Sequence, residues 1–588
     1  MPAMTTGTAL RTLSLGISSA LLVAGCTKPF QPETQEALRA RLIESHRAYL
    51  EATAAGPVIE VTRPASVVEE ELIREGRIDE LDEISGVKAY VGEPADVGTD
   101  LSGRASSPTV IMGLRDVISQ AVQQNLDVQV VRLRPAIAQT QLTQAEAAFD
   151  AVAFATFEWN KLDTPQLTGA VPGLTGNAQE NSWTLTTGIR KPLTTGGVLV
   201  AQTGLSRQNR DPSLFNVDKF YNTDVTLSLQ QPLLRNFGSD VALAEIGLAR
   251  NATKSELQTL RDALLVTALN AETAYWNLYF AQQRLLIQLR LLERTIEDRD
   301  RLQARREFDA APVQITEANS FVELRRAEVI RARQDFRNAS DTLKQLIQSK
   351  DLPVAGEELI VPGDVPVDAP LAFSLLDAVT TALQNRPELV TALLQIDDAS
   401  IRQKVADNQR LPLLNLTATT RFNGVAPDAD DSYDRLSDVD FIDYILGVEF
   451  EQPIGNRAAE AAYRQRLLER RGAVLNYQRQ ARDVVVEVKD SLRGMITAYE
   501  LIGATRAARR AAADNLRAIN EQEKAGVQLT PEFINLKLQS QERLADAETQ
   551  EVQALADYNR AVAAMYRSMG TLLQRNGIQF DPDAATVD

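Results

Sequence analysis

The chain has one cysteine, Cys26, and one histidine, His46, in 588 residues. That scarcity leaves no ligand set for a His/Cys metal centre, no cysteine-protease dyad and no histidine-based triad. Aromatic residues make up 5% of the chain and charged residues 24%, a make-up that suits long solvated helices better than a thick aromatic core. Basic residues are the minority: 62 Lys and Arg face 79 Asp and Glu, a formal charge of −17. That balance argues against nucleic acid as a partner. Beyond the N-terminus no run of about 20 apolar residues offers a transmembrane helix. A chain like this spans a membrane with strands or not at all.

What is present is a repeat built on very long helices. Phe450-Glu451-Gln452-Pro453-Ile454-Gly455 ends a strand-like stretch, and a helical run of roughly 65–70 residues follows to Lys524, on the order of 100 Å. Its apolar positions Val474, Tyr477, Ala481, Val484, Val488 and Leu492 have coiled-coil spacing. The segment from Ala525 to Pro531 breaks it, and a return helix is expected over 532–575. The same order occurs earlier in the chain. Leu229-Gln230-Gln231-Pro232-Leu233 ends a strand, and a long helix over 240–308 carries Leu257, Leu260, Leu264, Ala271, Tyr275 and Leu278 on one stripe. A break at Ala310-Ala311-Pro312 and a return helix over 317–348 complete the copy. Val313-Gln314-Ile315-Thr316 mirrors Val527-Gln528-Leu529-Thr530, and an acid lies just beyond each, Glu317 and Glu532. Upstream, single helices are expected over 112–148 and 374–410. The chain is thus a tandem duplication, 112–350 and 374–575, joined by a Pro/Gly/acidic linker at 351–373 and ending in a tail at 576–588.

Residues 1–25 have the short basic and apolar regions of a secretory signal, ending Leu22-Val23-Ala24-Gly25-Cys26. The placement of Cys26 resembles a bacterial lipobox, in which the cysteine is acylated, palmitate included; a plain signal peptide is the alternative. Residues 26–111 are acidic, then rich in Gly, Ser and Pro, and read as a solvated tether. Strand text follows at 151–160, 183–193, 198–207 and 224–231 in the first repeat, and at 413–422 and 441–452 in the second. Trp183, Leu185, Thr187 and Ile189 alternate with Ser182, Thr184, Thr186 and Arg190. Such alternation fits a membrane β-barrel strand or a half-buried soluble sheet. Segments 163–180 and 423–440 read as polar loops, the latter with six aspartates.

The duplication, the Gln-Pro strand ends (Gln231-Pro232-Leu233, Gln452-Pro453-Ile454), Asn385-Arg386-Pro387-Glu388 and the two turns together resemble the TolC family of outer-membrane efflux proteins, over about residues 112–575. Cys26 is similar to the lipidated branch. The resemblance implies an α+β membrane protein in which long coiled-coil helices form an α-barrel in the periplasm. Its strands would complete one transmembrane β-barrel shared by a homotrimer in outer-membrane lipid. Family repeats of two strands would give twelve strands, and the extra hairpin at 183–207 either adds strands or folds outside the barrel. It further implies a passive, non-enzymatic exit duct, without cofactors, of a tripartite efflux or type I secretion system. A periplasmic adaptor (membrane fusion) protein would join it to an inner-membrane pump of RND, ABC or MFS type. The family's gate positions fall on Glu317 and Glu532, with Ser320 and Asn535 a turn further on. Three copies would make a ring favouring cations; equally, the two acids complement helix N-termini. Adaptor contact falls on the tips, at Pro312, Val313, Ile315, Gly526, Val527 and Leu529. A periplasm-spanning coiled-coil lipoprotein, a tether without a pore, is the competing reading.

Overall fold

The computed structural model describes residues 66–90, 95–104, 107–165, 177–211, 219–307, 312–527 and 530–581, and most of 37–48. In order, the elements used below are α1 (Val67–Arg74), α2 (Ile78–Ile84), β1 (Thr109–Met112), α3 (Leu114–Gln124), α4 (Leu126–Glu146), β2 (Val152–Pro165), β3 (Asn177–Pro192), β4 (Val198–Asp211) and β5 (Lys219–Pro232). Then come α5 (Ala244–Ala304), α6 (Pro312–Ile347), β6 (Leu359–Pro362), α7 (Leu375–Asn385), α8 (Pro387–Asn408) and β7 (Leu413–Ala426). The last are α9 (Ala429–Ser437), β8 (Ile442–Glu451), α10 (Arg457–Lys524) and α11 (Pro531–Ser568).

The two long helices have 61 and 68 residues, about 92 and 102 Å at 1.5 Å per residue. Their stripes are buried where the spacing places them: Leu260, Ala271, Tyr275 and Leu278 in α5, and Tyr477, Ala481, Val484, Val488 and Leu492 in α10. Alanine at many of these sites lets the helices approach closely. The return helices pack beside them, α6 on α5 and α11 on α10, and α11 also lies along α5, joining the repeats. At the other end α4, α5, α8 and α10 lie side by side in that order. Among the described residues no helix is long and apolar enough to cross a membrane.

Each leading helix is two helices, not one. Asn125 ends α3 and its side chain accepts from the N–H groups of Asp127 and Val128, capping α4. Arg386 ends α7 in an extended conformation because Pro387 follows it. Met112, expected to open a helix, closes β1 instead. β1 pairs in parallel with β6 inside the 351–373 segment, so that segment is more than a linker. The 423–440 loop holds α9, and β2 and β3 extend into the expected loop at 163–180.

The solvated tether is corrected over its second half. Ser66 and Glu69 form a capping box that starts α1, and α1 and α2 pack on α10 through Leu72, Leu81, Ala513 and Leu516. Residues 95–104 lie on α6, where Arg337 donates to the carbonyls of Val97, Gly98 and Thr99.

All six long strands form one antiparallel sheet in the order β2-β3-β4-β5-β7-β8. The hairpin left open by the sequence is therefore in the sheet, between β2 and β5. Its register puts like with like. On one face stand Ala155, Phe157 and Trp159 of β2, Trp183, Leu185 and Ile189 of β3, and Leu199, Ala201 and Leu205 of β4. Tyr221, Val225 and Leu227 of β5, Leu416, Ala418 and Phe422 of β7, and Tyr444, Leu446 and Val448 of β8 continue it. The other face carries Glu158, Asn160, Thr184, Thr186, Gln202, Ser206, Asp224, Ser228, Thr417, Arg421, Asp443 and Glu449. Most of the apolar face is open, Phe157 being 67% exposed and Leu446 76%, and α9 covers it at Thr223 and Gly424, where Thr223 donates to the Ser432 carbonyl at 2.9 Å.

Candidate gate and membrane-spanning sheet

Two regions carry the functional argument, the hairpin tips and the sheet. At the second tip α10 ends at Lys524, Gly526 takes a left-handed conformation, and Val527 N–H donates to the Gln522 carbonyl at 3.2 Å. Thr530 then caps α11 by accepting from Phe533 N–H at 3.3 Å, with Pro531 in the first helical position. At the first tip α6 likewise opens with a proline, Pro312.

Of the expected gate residues, the structure joins two. Asn535 Nδ2 donates to Glu317 Oε1 at 2.9 Å, tying α11 to α6 across the two repeats. Glu532 is exposed on the first turn of α11, and Ser320 is exposed in the third turn of α6, which begins at Pro312, so that Glu317 lies past that helix's first turn. Among the tip positions, Pro312, Val313, Gly526 and Val527 are exposed, Val313 at 73%. Ile315 instead packs against the cluster of Leu302, Ala318, Ile534 and Leu538, so it is not free in the way the tip spacing suggests. Leu529 and Cys26 lie outside the described residues.

Just above the tips is a group that sequence spacing did not reveal. Lys537 Nζ lies 2.6 Å from Asp298 Oδ1 and 2.6 Å from Glu523 Oε2, and Gln541 donates to Asp298 Oδ2 at 2.7 Å. The Lys537 and Asp298 side chains are only 9% and 11% exposed. This knot draws α5, α10 and α11 together from three distant parts of the chain. The lysine and its two acids interdigitate at low exposure, where leaving any one unpaired is costly.

Further up, α10 presents Arg506, Arg509 and Arg510. Arg509 pairs with Glu551 and with Asp82 (2.7 Å), and donates to the Ser85 carbonyl at 2.9 Å. Arg510 reaches Glu69 and Asp82, both at 2.8 Å. Burial pushes the Asp82 carboxyl up, but hydrogen bonds from Arg510 and Arg509 outweigh it and hold the group below its ordinary range. Beside it, burial raises Glu548, against hydrogen bonds from Tyr90 and from Gly86 N–H. The N-terminal segment is therefore clasped onto the second repeat by ion pairs.

In the sheet, β2 and β8 each have a strand neighbour on one side only among the described residues. Such edges display unpaired backbone groups. Phe157, Trp183 and Tyr221 stack on the apolar face, with ring centroids 6.3 and 6.4 Å apart. Phe157 and Trp183 lie near mid-strand and Tyr221 near the remote end of β5.

Residues 378–571 match the family described as outer membrane efflux protein. No curated protein matches the chain. Among solved structures, the chain aligns with the outer-membrane channel OprN at 15% identity and TM-score 0.55, covering 81% of this chain and 97% of that one. The CmeC outer membrane channel of Campylobacter jejuni aligns at 15% identity and TM-score 0.55, over 82% and 92% of the two chains. The outer membrane protein VceC of Vibrio cholerae aligns at 16% and 0.55, over 78% and 96%. At these identities the likeness is one of fold. The second repeat matches the outer membrane efflux protein family, and the chain as a whole has the fold of the outer-membrane channels of the TolC family.

Proposed function

We propose that the protein is the outer-membrane exit duct of an efflux or type I secretion system, working as a homotrimer with one shared barrel. The observation that carries this reading is the sheet: one mainly apolar face, one mainly polar face and, among the described residues, two unpaired edges, standing at the end of helices about 100 Å long. Backbone edges in lipid must be satisfied, and copies of the same chain, β8 of one against β2 of the next, satisfy them in a closed ring. The polar face then lines water and the apolar face meets lipid. The helices continue the passage into the periplasm, and Cys26 anchors the N-terminus through acyl chains.

In this duct no residue does chemistry. The tips, with Val313 and Val527 outermost, meet a periplasmic adaptor that links the duct to an inner-membrane pump. Three Glu317 and three Glu532 ring the closed end and favour cations. The test is native mass in mild detergent with the N-terminus intact. Three chains, with conductance in planar bilayers, are expected. A monomer that leaves the membrane when Cys26 is replaced by Ser would give the function to a tether instead. Glu317→Gln with Glu532→Gln is expected to lower the cation-to-anion permeability ratio.

A further inference from the structure

We infer that the β3–β4 hairpin is a wall segment of the barrel that brings its girth up to that of the helical tunnel, so that the assembled barrel has six strands per chain. The inference rests on the duct reading above. At the junction of sheet and helices, α4 leads into β2, β5 into α5, α8 into β7 and β8 into α10. Those four helices lie side by side in the order of the strands they serve. β3 and β4 are the only two strands of the sheet with no helix of their own. They meet instead in a short turn at 193–197.

The arithmetic of the wall explains why they are there. Four helices at about 9.5 Å apart span roughly 38 Å of arc. Strands about 4.8 Å apart, tilted about 40°, take up roughly 6.3 Å of girth each. Six strands then span about 38 Å, whereas four would span about 25 Å. With the hairpin in place, sheet and helices match without a step. Three copies give eighteen strands and a barrel about 36 Å across.

Three observations tie the hairpin into the wall rather than beside it. Its faces follow the sheet, with Leu185, Ile189, Leu199 and Leu205 on the apolar side. On the polar side, a Cβ at Gly188 would lie 2.7 Å from the Ala201 carbonyl, and one at Gly204 2.3 Å from Asp224 Oδ1. At Gly188 it is the neighbouring backbone that comes so close, as on the inner side of a curved sheet, where glycine relieves the crowding, whereas at Gly204 the neighbour is the Asp224 carboxylate. Its turn is held at the strand base, where Gly238 N–H donates to the Thr195 carbonyl at 3.1 Å and Gln231 Nε2 to the same carbonyl at 3.2 Å. Gln231 belongs to the Gln-Pro strand end, so the motif that closes β5 also seats the hairpin.

The experiment is single-cysteine labelling in intact outer membranes, each variant counted against the parent chain. Thr186→Cys is expected to react with a water-soluble maleimide through the lumen, and Leu185→Cys to react at least about tenfold more slowly because it faces lipid. Equal labelling of the two would overturn the inference, since the hairpin would then lie outside the bilayer. Electron microscopy of the extracted trimer gives a second readout. Eighteen strands in the ring support the inference, and twelve with a detached hairpin overturn it. A monomer on extraction counts against the duct itself, whereas a trimer with an equally labelled hairpin counts against this inference alone.

Discussion

The two repeats have the same plan and spend it differently. The second matches the efflux-protein family over 378–571; the first, with four strands to the second's two, lies outside that match. At one equivalent place the first uses a neutral group where the second uses charge. At the break in the leading helix, Asn125 caps α4 and donates to the Leu346 carbonyl at 3.1 Å. The second repeat fills that place with Arg386, which grips Glu487 with both guanidinium nitrogens at 2.9 and 2.6 Å and donates to the Ser568 carbonyl. Near the tips, the second repeat likewise supplies two of the three charged members of the lysine knot, Glu523 and Lys537, and the first supplies Asp298. The lesson is that a duplicated wall keeps its apolar seam in both copies, while a given fastening point can be neutral in one copy and ionic in the other.

The largest expected effect comes from cutting the knot. Lys537→Met keeps the length of the side chain but leaves Asp298 and Glu523 with only the exposed Arg301, 3.9 and 4.0 Å away, as a cation. Such a loss costs on the order of 3 kcal/mol, enough to shift a closed-to-splayed equilibrium by on the order of a hundredfold. Conductance of the trimer in planar bilayers should rise accordingly. An unchanged current would mean that the knot holds the fold and not the passage.

Next is the break in the leading helices. Arg386→Ala is expected to cost about 2–3 kcal/mol, because it leaves Glu487 with Arg567 alone and strands the Arg567 and Ser568 carbonyls beneath α8. Asn125→Ala removes a cap and one further hydrogen bond and should cost about 1–2 kcal/mol. Thermal unfolding of the extracted protein compares them. Equal costs would erase the proposed asymmetry between the repeats.

Acid separates the N-terminal segment's two attachments. Asp82 is held below its ordinary range by Arg509 and Arg510, so its contribution is present above the unfolded value of about 3.9 and lost as pH falls through the folded one. Glu548 is raised by burial and runs the other way, its penalty easing on acidification. Arg337 holds residues 97–99 through carbonyls, contacts that acid leaves in place, although Asp96 pairs with Arg333 and Asp100 with Arg104 in the same segment. Trypsin is therefore expected to cut at Arg74 and Arg77 faster once protein briefly held in acid is returned to neutral for digestion before the clasp re-forms, while Arg337, whose contacts are to carbonyls, stays as slow as before.

Much of this was legible in the sequence because it is periodic. The 3/4 spacing gave both long helices, and period-two alternation gave all six strands within a few residues. The Gln-Pro and Val-Gln-x-Thr signals located the junctions and tips. Pro387 announced the break at Arg386, and Ser66-x-x-Glu69 announced α1, both by local rules that the longer pattern overshadowed. What stayed hidden is non-local. β1 and β6 are four residues each and find one another across about 250 residues of chain, and no spacing links Asp298, Glu523 and Lys537. Register was hidden as well: only the pairing of β3 with β2 and of β4 with β5 shows that the extra hairpin shares the sheet's apolar face.

The smallest expected effect tests the repeat symmetry at the tips. Within one chain Asn535 of the second repeat donates to Glu317 of the first at 2.9 Å. The pseudo-equivalent pair is Ser320 with Glu532, both exposed in the single chain. In a ring of three, each second repeat meets the first repeat of the next copy, and symmetry places Ser320 opposite the neighbour's acid. Each hydrogen bond is worth about 1 kcal/mol. Asn535→Ala should therefore lower the thermal stability of the separated chain and of the trimer alike. Ser320→Ala should leave the chain unchanged and shorten only the lifetime of the trimer in detergent. If Ser320→Ala weakens neither, the tips of neighbouring copies stand apart at rest, and the ring of acids is open at the interface between chains while closed within each one.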